Sequence, residues 1–209
     1  MISVLTLILA YMIGSVSIGY IFASRFKGVD IRKMGSGSTG ATNISRLMGY
    51  KTAVLVLILD ALKGYLAVYL ALVIFQQGLL AGEWVVLLSG LAVIAGHNWP
   101  IFFSFKGGRG AATMLGVFLA LIPVPALIVF AIVLVIIAIT RYVSVGSITG
   151  AAVIPITMLI IGKPSEYFYF GLAIGLVIIF QHRENIKRLL NKKEPKLGEK
   201  LNNPGKQVK

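Results

Sequence analysis

AATMLGVFLALIPVPALIVFAIVLVIIAIT, residues 111–140, holds 30 residues without a single charge. As one helix it would be about 45 Å long, against a hydrocarbon core of about 30 Å. Pro123-Val124-Pro125 interrupts it, and proline ends a helix by removing a donor and clashing with the preceding turn. The stretch therefore predicts two spans, 111–122 and 125–140. Both are short, and the first must start below the surface or use a thinned bilayer. The rest of the chain agrees. It is 57% hydrophobic and 13% charged over 209 residues, with a mean hydropathy of +0.90, which is the composition of an integral membrane protein.

Working outward, residues 1–24, 51–75, 84–97, 144–161 and 165–181 supply five more apolar segments. The fold class is all-α: a polytopic membrane protein of seven transmembrane helices. Residues 1–24 have no basic region before them and no cleavage pattern after them, so they read as a retained span. With the N-terminus outside, the inner segments 25–51, 98–110, the Arg141 turn and 182–209 carry 6, 2, 1 and 9 Lys plus Arg, 18 of the 20. The positive-inside rule selects that orientation and a cytoplasmic C-terminus. Residues 1–190 read as one membrane domain and 191–209 as a charged, disordered cytoplasmic tail.

The net charge of +13 lies in loops and tail, which points to anionic headgroups and topology and not to nucleic acid. The absence of cysteine excludes thiol nucleophiles and cluster sites. Two histidines far apart, with no paired carboxylates, leave no expected metal site.

Three polar stretches interrupt the apolar chain, all on the inner side of this topology. Gly35-Ser36-Gly37-Ser38-Thr39-Gly40-Ala41-Thr42-Asn43-Ile44-Ser45-Arg46 combines glycines, hydroxyls and an arginine. Backbone N–H groups exposed by glycines before a helix start form an anion cradle, and Arg46 can close on a phosphate. The competing reading is a polar turn between spans. In the second stretch, Gly96-His97-Asn98-Trp99-Pro100 precedes Phe105-Lys106-Gly107-Gly108-Arg109-Gly110, and Thr113 follows within the next span. A helix N-terminus flanked by Lys106 and Arg109 suits a second phosphate. The bland reading is a basic inside loop with snorkelling side chains. His97 reads equally as a base, a donor to substrate, or a helix-end side chain on backbone carbonyls. In the third stretch, His182 and Asn185 share one helical face with Leu189, and Arg183 and Lys187 lie on another. Asp60 and Lys63 are intramembrane charges at i, i+3, where pairing is expected.

Taken together, Gly35-Ser36-Gly37-x-x-Gly40-Ala41-Thr42-Asn43-x-x-Arg46, then Gly96-His97-x-x-Pro100 with Phe105-Lys106-Gly107-Gly108-x-Gly110 and Ala112-Thr113, then His182-Arg183-Glu184-Asn185-Ile186 with Arg188-Leu189-Leu190, resemble in order and spacing the signatures of the bacterial integral-membrane acyl-phosphate:glycerol-3-phosphate acyltransferases. Ser38 stands where that family usually has Asn, and Arg109 where it usually has Lys. The resemblance implies transfer of a fatty acyl group from acyl phosphate to the 1-hydroxyl of glycerol 3-phosphate. The products would be lysophosphatidic acid and inorganic phosphate, the first acylation of phospholipid synthesis. It also implies no metal, no cofactor and no thioester donor, an inner-membrane location with the site facing the cytoplasm, and substrates rather than protein partners; a monomer is expected.

The expected roles follow. Ser36, Ser38, Thr39, Thr42, Asn43 and the backbone of 35–43 hold one phosphate with Arg46. Lys106, Arg109 and the backbone of Gly107, Gly108 and Gly110 hold the other and stabilise the charge that develops at the carbonyl. His182 and Asn185 orient glycerol 3-phosphate. The base is either a histidine, His97 or His182, or the leaving phosphate, and which cradle takes which substrate stays open. An anion transporter and a metal-dependent phosphotransferase are the competing classes. The absence of an inverted repeat and of an Asp-rich site counts against them.

Overall fold

The computed structural model describes residues 1–199, and the end of the expected disordered tail, 200–209, lies outside the described residues. Ten α-helices run through them: α1 (Ile2–Ser15), α2 (Ile18–Lys27), α3 (Ala41–Met48), α4 (Tyr50–Gln76), α5 (Trp84–Asn98), α6 (Ala111–Leu121), α7 (Pro123–Thr140), α8 (Val143–Ile160), α9 (Ser165–Gln181) and α10 (Arg183–Leu190). Short 3-10 turns occupy Ile31–Lys33 and Ile101–Phe103. The all-helical class is as the apolar pattern predicts.

The break in 111–140 falls at Ile122, whose backbone is non-helical (φ −147, ψ 69), so α7 begins at Pro123 rather than at 125. Both prolines then lie in the first helical turn, where the N–H groups that proline lacks would have no partner anyway. The segment 1–24 is not one continuous helix. The chain leaves α1 at Val16 (ψ 103) and re-enters helix at Ile18. Lys63 Nζ donates to the Gly14 and Val16 carbonyls at 3.0 and 2.9 Å, satisfying acceptors that the break exposes.

Five stretches, Ile2–Lys27, Tyr50–Gln76, Trp84–Phe103, Pro123–Thr140 and Val143–Ile160, are long and apolar enough to cross a membrane. α6 and α9 are apolar but shorter; α6, with 11 residues, reaches only about 16 Å. α7 lies at the periphery, with Leu127, Ile128, Ile132, Leu134, Val135 and Ile139 all exposed, a surface suited to lipid. The core is aliphatic. Val85, Val86, Val93, Val117, Phe118, Ile174 and Ile178 are fully buried among α5, α6 and α9, with the Phe118 and Phe170 rings 5.7 Å apart.

Helices of equal apolarity to their solvent gain little from hydrophobic sorting and hold together by close approach through small residues. Two crossings show this reciprocally. Where α1 meets α5, Gly14 abuts the Val93 carbonyl and Gly96 abuts that of Tyr11. Where α4 meets α6, Gly64 abuts the Thr113 carbonyl and Gly116 that of Ala61.

The packed unit does not stop at 190. Leu197 N–H donates to the Arg141 carbonyl at 2.7 Å, the Arg141 guanidinium returns a bond to the Leu197 carbonyl at 3.1 Å, and Glu194 is buried. The expected disordered tail is therefore corrected for residues 191–197. Its charge run concealed one acidic side chain whose partners come together only in the tertiary structure.

A Cβ at Gly116 would overlap the Ala61 carbonyl. Gly116→Val should therefore destabilise the protein by about 1–3 kcal/mol, read as a lowered thermal midpoint in detergent.

Candidate active site

The first polar stretch is built by one buried amide. Asn43, 1% exposed, donates from Nδ2 to the Met34 and Ser38 carbonyls at 2.9 Å each and more weakly to that of Ile31 at 3.4 Å. Its Oδ1 accepts the Ser36 N–H at 3.2 Å. Asn43 is thus the organiser of the loop. Its side chain, expected to hold phosphate, is taken up by the loop's own backbone. Ile31 and Ile44, with Ala23, Ala53 and Val56, seat this loop on α2 and α4. Arg32 bridges it to the second stretch, pairing with Asp30 at 2.8 Å and donating to the Phe103 carbonyl at 2.8 Å, with Tyr20 beneath the guanidinium. The bonds from Arg32 hold the Asp30 carboxyl below the usual carboxylate range.

The second stretch folds back on the end of α5. Gly107 N–H donates to the Asn98 carbonyl at 3.2 Å and Gly108 N–H to that of His97 at 3.0 Å. These two amides, expected to face a phosphate, are consumed in shaping the loop. A Cβ on Gly108 would fall on the His97 ring, so only glycine fits. Gly110 adopts φ +85, a conformation natural to glycine, and launches α6. The Thr39 N–H reaches the Gly107 carbonyl at 3.4 Å, joining the two stretches directly.

The consequence is one cavity where two cradles were expected. It measures about 190 Å³. Ser36, Ser38, Gly40, Thr42, Asn43 and Arg46 line it from the first stretch, His97, Arg109 and Gly110 from the second, and His182 and Asn185 from the third. The N-termini of α3 and α6 both open into it, through Gly40–Thr42 and Gly110–Ala112. Unpaired first-turn N–H groups and the positive end of the helix dipole favour an anion there. Thr39, Gly108 and Thr113 are buried behind the wall, Gly35, Gly37 and Gly107 do not line it, and Lys106 is exposed and apart from it. Sequence reasoning missed Asp60, Ser144 and Glu194, which also line the cavity. Only Asp60 carried a signal, as an intramembrane charge.

Of the charged groups lining the cavity, Asp60 and Glu194 are paired with Lys63 and Arg188, which leaves Arg46 and Arg109 to set a cationic end. Burial and the neighbouring Arg188, Arg46 and Arg183 push the Arg109 guanidinium down to about 10, against a partial offset from Glu194. Burial also lowers Arg46. Both remain charged at neutral pH. His182, 4% exposed, places Nδ1 2.8 Å from the Ile178 carbonyl. A carbonyl only accepts, so Nδ1 carries the proton and Nε2 is left as a bare acceptor. Burial pushes His182 down to about 4, outweighing that bond. Away from Arg46 and Arg109, the cavity continues between α4, α6, α7 and α8 along Leu57, Leu115, Phe118, Phe130, Val133 and Ile154, a largely apolar arm.

Two outcomes follow. Asn43→Asp keeps the shape but removes the donors, leaving buried carbonyls unpaired, and should cost about 2–3 kcal/mol, seen as a lowered thermal midpoint. His182 should stay neutral from pH 8 to pH 5.5, read as an unshifted imidazole signal by NMR. Below the unfolded value near 6.5 the unfolded chain binds the proton first, so stability falls as pH drops from about 6.5 towards 4.

Comparison with known proteins matches this geometry to a named set. A family model described as glycerol-3-phosphate acyltransferase matches residues 4–192. A glycerol-3-phosphate acyltransferase of Thermoanaerobacter sp. (strain X514) is 44% identical over 200 residues, covering 96% of this chain and 98% of that one. One of Trichormus variabilis is 44% identical over 206 residues, 93% of this chain and 91% of that one. The solved structure of PlsY (YgiH), an integral membrane glycerol 3-phosphate acyltransferase, in its glycerol 3-phosphate form, superposes with a TM-score of 0.87 at 40% identity over 95% of this chain and 96% of that one. The lysophosphatidic acid form gives 0.84. With three polar stretches converging on one cationic cavity beside an apolar arm, and a match over nearly its whole length, the chain belongs to the glycerol-3-phosphate acyltransferase family.

Proposed function

We propose that this protein transfers a fatty acyl group from acyl phosphate to the 1-hydroxyl of glycerol 3-phosphate, giving lysophosphatidic acid and inorganic phosphate. The observation that carries the reading is the two-part cavity. Its cationic end has two arginines and two helix N-termini, and its other end is an apolar arm. An acyl phosphate has the same two parts, and its carbonyl carbon lies at their junction. The PlsY structures matched above are named for a glycerol 3-phosphate form and a lysophosphatidic acid form, which fit as acceptor and product.

In this reading Arg46, Arg109 and the open amides of α3 and α6 hold the phosphate groups, with Ser36, Ser38 and Thr42 as hydroxyl donors. The glycerol 1-hydroxyl oxygen attacks the acyl carbonyl carbon and the bond from that carbon to the phosphate oxygen breaks. Phosphate leaves with the electron pair. Arg109 and the start of α6 stabilise the negative charge on the carbonyl oxygen. His182 Nε2, already unprotonated, accepts a hydrogen bond from the attacking hydroxyl; its low affinity for a proton suits it to orienting, and the departing phosphate takes the proton. His97 faces Asp60, Nδ1 to Oδ1 3.5 Å, and packs on Gly108, a structural placement. Lys106, exposed and outside the cavity wall, serves as an electrostatic guide for anions.

The topology belongs to the same proposal: seven crossings with the N-terminus outside, the site at the cytoplasmic face of a bacterial inner membrane, and a monomer as the working unit. The distribution of 18 of 20 Lys and Arg to one side supports the orientation.

Purified protein in detergent, given palmitoyl phosphate and chelator, should release phosphate only when glycerol 3-phosphate is added, with lysophosphatidic acid in equal amount. Phosphate release without glycerol 3-phosphate, or loss of activity in chelator, would refute this scheme. Arg109→Ala and Arg46→Ala should each lower kcat/KM by about 10²-fold or more, with Arg109→Lys retaining the larger part of the rate.

A further inference from the structure

We propose that Glu194, in the segment after α10, is a positioning residue that makes Asn185 a hydrogen-bond acceptor for the 2-hydroxyl of glycerol 3-phosphate. The cavity thereby selects a vicinal diol. The inference rests on the acyl-acceptor reading above and deepens it.

Glu194 Oε1 accepts from Asn185 Nδ2 at 2.6 Å and from Ser144 Oγ at 2.8 Å, and Oε2 accepts from Arg188 Nε at 2.7 Å. All of these bonds favour the ionised form, and together they outweigh burial and keep the carboxyl below the usual range. A carboxylate offers no hydrogen, so the Asn185 group facing it must be the NH₂. That choice sets the other end of the amide. Asn185 is 2% exposed and lines the cavity, and its Oδ1 is buried without a partner among the described residues. An acceptor left bare at such burial is costly unless a ligand supplies the hydrogen.

The same logic already applies three residues earlier. The Ile178 carbonyl fixes the His182 proton on Nδ1 and leaves Nε2 bare. One wall of the cavity thus presents two adjacent acceptors, each set by an acceptor-only partner behind it. A phosphorylated glycerol carries two adjacent hydroxyl hydrogens. With His182 Nε2 on the reacting 1-hydroxyl, as in the scheme above, the neighbouring 2-hydroxyl is left for Asn185 Oδ1. Glu194 is held in place by the return of the chain across Arg141, through the two bonds between Arg141 and Leu197.

The test compares glycerol 3-phosphate with 1,3-propanediol monophosphate, which lacks the 2-hydroxyl, at saturating palmitoyl phosphate. Wild-type kcat/KM should favour the diol by about tenfold or more, because the deoxy compound leaves Oδ1 unpaired. Glu194→Gln allows the amide to turn over. It should raise KM for glycerol 3-phosphate about tenfold and bring the ratio of the two acceptors near one, with KM for palmitoyl phosphate within about twofold. Asn185→Asp sets two carboxylates against each other and should do at least as much harm. The double variant Glu194→Gln/Asn185→Asp restores donor against acceptor and should recover a large part of the preference. A role confined to holding the fold would change both acceptors alike.

Equal use of the two acceptors by wild-type protein would overturn the proposal without any variant, even if the single variants fail to fold. So would faster turnover in Glu194→Gln, the signature of a carboxylate that blocks the phosphate site. Failure to form lysophosphatidic acid at all would instead remove the acyl-acceptor reading.

Discussion

The Lys63 ammonium is the interaction on which the arrangement hangs. It sits on the long helix α4, pairs with Asp60 at 2.9 Å, and donates to two carbonyls where α1 breaks. A helix break inside a membrane is tolerated only where its freed backbone groups find polar partners. Lys63 supplies them, and Asp60 balances its charge. Asp60 in turn faces His97, and His97 lies against Gly108 in the loop that launches α6. The beginning of the chain, the long second span and the second polar stretch are thus tied at one buried point. Removing one member of such a pair leaves an uncompensated charge, which is far costlier than removing both.

Around this point the polar stretches divide their labour. Many of their residues build, and a few face the cavity. Asn43 spends its amide on carbonyls, Gly107 and Gly108 spend their amides on the end of α5, and Arg32 clamps one loop to the other. What remains open is a pair of helix N-termini, two guanidiniums and a few hydroxyls. Desolvated cations held by rigid neighbours are poised for an anion before it arrives, and such preorganisation is what electrostatic catalysis requires.

The motifs were legible because their composition is anomalous against an apolar background. Glycines, hydroxyls and arginines in short runs cannot be explained by charge distribution alone. The roles within a motif were less legible. Asn43 and Arg46 lie on one short helix, and nothing in their spacing says that one amide turns inward to backbone while the guanidinium faces the cavity. Thr39 and Thr113 have side chains suited to a ligand and are buried behind the wall. Glu194 was invisible, because a lone acid among lysines looks solvated until Ser144, Asn185 and Arg188 are seen around it.

The sequence by itself determined the all-helical class, the split of residues 111–140 and the three polar stretches, because apolar length, proline chemistry and the bilayer thickness act locally along the chain. Only the tertiary structure decided that two expected cradles are walls of one cavity, that α1 and α2 part at Val16, and that the chain returns after α10 to place Glu194 on Asn185. These depend on helix crossings set by glycine against carbonyl and on partners far apart in the chain, and no local pattern encodes which distant group a buried polar atom will meet.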